Sequence, residues 1–131
     1  KMDTGTTTDT GTTGDTTSSG DVVPASAGCA EADFVTGTTI ASLSGPSRYE
    51  PKCLKVSKNT MVKFIAVNGF AGHPLKKSAR GDVANNPIVE TRTGNEVTFK
   101  FDTVGTFPFF CIFHGGADNG TSMSGVVQVT P

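Results

Sequence analysis

The chain has 131 residues, a formal net charge of −1 and 35% hydrophobic residues. That length favours one domain of ordinary size. The near-neutral charge, with no dense run of lysines, argues against nucleic-acid binding, and no apolar stretch is long enough to cross a bilayer as a helix.

In chain order, the first segment is KMDTGTTTDTGTTGDTTSSG, whose only apolar side chain is Met2. Such a stretch buries too little surface to offset its ordering entropy, so residues 1–21 are expected to form a disordered Thr/Gly/Asp-rich tether. Its Lys1 against Asp3, Asp9, Asp15 and Asp21 makes it −3, which leaves +2 for the rest of the chain. Residues 22–131 are then enough for one packed core. No signal peptide is visible, and a chain starting at Lys1 reads as a processed or trimmed form. The threonine-rich tether favours an exported protein, attached upstream to a membrane or cell surface.

β-prone segments follow at 33–41 and 47–57. TMVKFIAV (60–67) alternates, with Val62, Phe64 and Ala66 on one side, and NEVTFKF (95–101) does so with Val97, Phe99 and Phe101. A further segment runs over 104–111, and SGVVQVT (124–130) closes the series with Val127 and Val129. Period-2 alternation of β-branched and aromatic residues is the mark of half-buried strands. Turn residues separate them: SGPS at 44–47, SKNT at 57–60, TGN at 93–95 and Val104-Gly105. No window supports a long amphipathic helix, and residues 76–87 have room for one short helical turn. The expected fold is all-β, a two-sheet antiparallel sandwich. KKSAR (76–80) reads as a solvated loop more readily than as a docking patch for an acidic partner.

The chemistry is concentrated in FFCIFHGG (109–116), where Cys111 and His114 stand three apart. This pair reads as a nucleophile and its base, as two metal ligands, or as a buried strand end. The chain's second histidine is His73, in NGFAGHPLKK, and Met123 precedes the last strand. A Cys/His hydrolase needs a third orienting group and an oxyanion site, and no nucleophile turn is visible. A copper enzyme with a second, catalytic metal needs more histidines than the two present. Zinc also suits such ligands.

Taken together, MVKFIAVNGFAGHP and TVGTFPFFCIFHGGADNGTSMSGVVQVT resemble the cupredoxins, the type 1 blue-copper proteins, over Phe34 to Thr130. The aromatic strand into Cys111 and the Gly-x-Val-x-Val exit after Met123 carry the likeness. It implies a Greek-key sandwich with one type 1 copper ion, held in a plane by His73, Cys111 and His114 with Met123 as weak axial ligand. A soft thiolate and two imidazoles with a distant thioether suit both copper oxidation states. The implied function is single-electron transfer between redox partner proteins outside the cytoplasm, by a monomer that is not an enzyme and has no small-molecule substrate. The alternative is a copper storage or delivery module without redox turnover. The resemblance also implies an electron port at His114, with Phe113, Gly115, Gly116, Pro74 and Leu75, and Phe70 and Ala71 beside them, forming the docking patch. Two departures stand out: eight residues separate His114 from Met123, and Pro74 follows the first histidine where many relatives have Asn. With Cys111 thus accounted for, Cys29 and Cys53 are expected to pair as a disulfide, the alternative being two buried thiols.

Overall fold

The computed structural model describes residues 23–115 and 120–131; the tether expected over 1–21 lies outside them. The regular structure of the described residues is almost entirely strand: β1 (Val35–Thr36), β2 (Thr39–Leu43), β3 (Arg48–Glu50), β4 (Cys53–Ser57), β5 (Thr60–Ala66), β6 (Leu75–Lys77), β7 (Glu96–Phe101), β8 (Gly105–Gly115) and β9 (Ser122–Thr130). A single 3₁₀ turn at Glu31–Asp33 precedes β1.

These strands form two layers. One sheet has the order β1-β4-β9-β8-β6 and the other β3-β2-β5-β7. The all-β sandwich is as expected, but the sheets are mixed rather than antiparallel. The pairs β1–β4, β2–β5 and β4–β9 run parallel. The cause is topological: the chain repeatedly crosses between layers, so sheet neighbours such as β2 and β5 are not consecutive and can share a direction. Alternation along each strand fixes which face is buried and leaves direction open.

The buried faces meet in one core. Val62, Phe64 and Ala66 of β5 point inward, as do Phe99 and Phe101 of β7 and Phe107 and Phe109 of β8. The Phe109 ring meets Tyr49 and Phe64 edge-on, at centroid distances of 4.8 and 5.1 Å. Each such aromatic, fully buried, contributes about 1.5–3 kcal/mol. This places the bulkiest packing directly beneath Cys111, two residues further along β8.

Residues 75–77 form an edge strand where sequence alone allowed a helical turn. Leu75 pairs with Cys111 and Lys77 with Phe109, so β8 recruits this segment into its sheet. KKSAR is not a free basic patch. Lys77 Nζ donates to the Val83 carbonyl (3.1 Å), Lys76 lies 3.9 Å from Glu90, and Arg80, only 8% exposed, donates to the Pro24 and Ala25 carbonyls.

Cys29 and Cys53 are joined by a disulfide. It ties the segment before β1 to the start of β4, in a small cluster with Val126 and Phe34.

Candidate metal centre

The parallel register of β2 with β5 (Ser42 beside Ala66) brings the C-terminal ends of both strands to the same end of the sandwich. The loop leaving β5 carries His73, whose backbone N–H donates to Phe70 (3.2 Å). Strand β8 delivers Cys111 and His114 to the same end, and Met123 enters there as the second residue of β9.

Three donor atoms converge. The two imidazole Nδ1 atoms of His73 and His114 are 3.2 Å apart, and Cys111 Sγ is 3.7 Å from the first and 3.5 Å from the second. With sides of this length all three atoms are close enough together to bind one ion, at metal–nitrogen distances of about 2.0–2.1 Å and a metal–sulfur distance of about 2.3 Å. His73, Cys111 and His114 would therefore hold a single ion between two nitrogens and one sulfur. Such a mixed N/S set suits copper.

Burial differs among the three. Cys111 and His73 are enclosed, whereas His114 is exposed. Desolvation, with a smaller contribution from His114, pushes the His73 pKa below the ordinary imidazole value. Its neutral form, the one that ligates, is thereby favoured. Among the described residues, the groups set at the Cys111 sulfur are those two imidazole nitrogens.

Met123 is fully buried in the same core cluster as Cys111. The long connection from His114 is partly absorbed by strand: β8 runs on to Gly115, which pairs with Ser122 across an irregularity after Phe110. Both ends of the connection are thus zipped together, which sets Met123 on β9 beside the end of β8 that carries Cys111 and His114. A Cβ on Gly115 would lie 2.3 Å from the Met123 carbonyl and 2.9 Å from that of Cys111, so only glycine fits this crossing.

The expected docking patch is only partly exposed. Phe113 (59% exposed), His114 and Ala71 are at the surface, but Phe70, Pro74 and Leu75 are buried. Leu75 opens β6 opposite Cys111 and turns its side chain into the core; Phe70 packs there too. Gly116 lies outside the described residues.

Sequence reasoning missed Ser44. Its Oγ is 2.8 Å from His73 Nε2, across 29 positions of chain. A lone serine in a turn carries no signal of that contact.

No protein-family model matches the sequence, and no curated protein sequence does. Solved structures do match. A copper-containing nitrite reductase from Thermus scotoductus SA-01 aligns with 76% of this chain at a TM-score of 0.57 and 15% identity; the chain spans only 28% of that protein's length. Oxidised plastocyanin from Dryopteris crassirhizoma is covered over 100% of its length, with 71% of this chain, TM-score 0.54 and 22% identity. Pseudoazurin from Methylobacterium extorquens AM1 gives 0.52 and 21%, over 73% of this chain and 76% of its own. At such identities what is shared is the fold: this chain has a cupredoxin-like fold of two mixed sheets, with a His-Cys-His cluster at one end.

Proposed function

We propose that the protein holds one type 1 copper ion, with His73, Cys111 and His114 in the plane and Met123 as weak axial ligand, and carries single electrons between partner proteins outside the cytoplasm. The observation that carries the reading is the near-equilateral triangle of two Nδ1 atoms and one Sγ, 3.2–3.7 Å on a side. Copper in such a set supplies a one-electron couple. The chain's own part is rigidity: β8 and β9 fix Cys111 and Met123 from adjacent strands, and the core beneath them resists rearrangement.

Burial of Cys111 and His73 keeps water from the donor set, and exposed His114, beside exposed Phe113, provides the edge through which an electron enters or leaves. Both histidines of the chain belong to this one centre, which leaves none for a second, catalytic copper and favours a carrier over an enzyme. A fully buried thiol also favours a redox carrier over a delivery module, which has to hand its metal to another protein. The disulfide favours an oxidising compartment.

Copper(II)-loaded protein should show intense visible colour and the electron-spin-resonance spectrum of a thiolate-bound copper. Cys111→Ser should abolish the colour, because the absorption arises from thiolate-to-copper charge transfer. Colour that survives this change would sink the assignment, and a protein that binds zinc but forms no coloured copper complex would favour a non-redox metal site.

A further inference from the structure

We propose that Ser44 is a positioning residue for the metal centre: its Oγ accepts a hydrogen bond from the Nε2–H of His73 and so keeps Nδ1 bare and aimed at Cys111 and His114. The inference deepens the copper reading and rests on it.

The placement is built by the fold. β2 ends at Leu43, and Ser44 is the next residue, in the turn into β3. Because β2 lies parallel to β5, that turn sits at the same end of the sandwich as the loop that leaves β5 for His73. The result is a 2.8 Å contact between Oγ and Nε2, on the far side of the ring from the other two donors. Among the described residues, Ser44 is the group set at Nε2.

The chemistry gives this contact a consequence. A neutral imidazole has one N–H and one lone pair, and only the lone-pair nitrogen can ligate. A hydroxyl oxygen has two lone pairs and can accept from Nε2–H. If it donated to Nε2 instead, the ring proton would sit on Nδ1, 3.2 Å from His114 Nδ1, and block the centre. A metal-binding His73 therefore requires Ser44 to be the acceptor. The bond also makes Nδ1 more basic and fixes the ring plane, as outer partners of ligating histidines do. A more basic nitrogen stabilises Cu(II) more than Cu(I), so Ser44 holds the reduction potential down.

Loss of such partners typically costs about 10–100-fold in metal affinity. Ser44 is exposed and water can partly replace it, so the low end applies. The Ser44→Ala protein should bind Cu(II) roughly tenfold more weakly, with Cu(I) affinity little changed; a tenfold difference for a one-electron couple raises the potential by about 59 mV. Ser44→Thr keeps the hydroxyl and should restore both values. In metal-free protein, nitrogen NMR should show the His73 proton on Nε2, slowed in solvent exchange in the wild type and in Ser44→Thr and fast in Ser44→Ala. Equal losses for Cu(I) and Cu(II), with no shift in potential, would mean that Ser44 only steadies its loop and would overturn the proposal. So would a His73 proton found on Nδ1, or a Ser44→Ala protein indistinguishable from wild type. Wild-type protein that takes up no copper would overturn the copper reading and this inference together, whereas unchanged binding in Ser44→Ala overturns this inference alone.

Discussion

Two neighbouring glycines near the centre make opposite demands on a side chain. Gly115 faces the Met123 carbonyl so closely that a methyl group would stand 2.3 Å from it, while Gly72, next to His73, has nothing within 4 Å. Gly115→Ala must therefore push β8 and β9 apart where they carry Cys111 and Met123. We expect a loss of about 1–3 kcal/mol, as for other overpacked sites, together with an altered visible band ratio. Gly72→Ala should leave both unchanged. Denaturant midpoints and optical spectra of the two variants check this, and a normal spectrum for Gly115→Ala would show that Met123 does not follow its backbone.

His73 supplies a pH signature of the metal-free protein. Burial depresses its folded pKa below the unfolded value near 6.5. The unfolded chain then binds more protons than the folded one as pH falls through that value, so stability falls with it. The stabilising contribution is present above about pH 6.5 and is lost as pH drops through the lower folded value. Urea midpoints of metal-free protein at successive pH values should decline over that window, and His73→Gln should flatten the decline.

At the scale of elements, the edge pair β6–β8 bears on the reduction potential of the proposed copper centre. Ile112, the residue after Cys111, donates its N–H to the Pro74 carbonyl (2.9 Å), which lays residue 74 against the β8 backbone next to Cys111. The resemblance to cupredoxins implies an Asn after the first histidine, with an N–H to give; proline has none. Pro74→Asn should supply a hydrogen bond to sulfur, weaken its donation to Cu(II) and raise the potential. For a bond of about 1 kcal/mol the rise is roughly 40 mV for a one-electron couple. Voltammetry of the two proteins decides it, and a fall in potential would mean that the new N–H points away from the sulfur. Strand β6 itself was not legible in the sequence. Three residues, Leu75–Lys77, are too few to show a period, and their pairing with Phe109 to Cys111 is what makes them a strand.

At the scale of the molecule, the segment before β1 braces the end of the sandwich that holds the centre. Lys52, next to the disulfide, donates to the Gly120 carbonyl at 3.0 Å, and a Cβ on Gly120 would stand 2.1 Å from the Ala27 carbonyl. Arg80 holds the same segment through Pro24 and Ala25. Closing a loop with a separation of 24 residues stabilises by about 3.5 kcal/mol on chain-entropy grounds. The double variant Cys29→Ala/Cys53→Ala should lose about that much in denaturant unfolding and keep the copper spectrum, since neither cysteine is among the proposed ligands. A lost spectrum at full folding would mean that the brace also sets the geometry of the centre.

The sequence by itself determined the strand alternation, the all-β class and the candidate donors, because each is written locally: a period of two, a Cys-x-x-His spacing, a methionine just ahead of a Gly-x-Val-x-Val run. The pairing of Cys29 with Cys53 was legible only once Cys111 had another use. Tertiary structure alone decided the parallel neighbours, the burial of Phe70, Pro74 and Leu75, the use of Arg80 as a clasp, and the contact of Ser44 with His73. Each of these joins segments that lie far apart in the chain. Alternation says which face of a strand is apolar, and it is silent on which strand lies beside it or in which direction that neighbour runs.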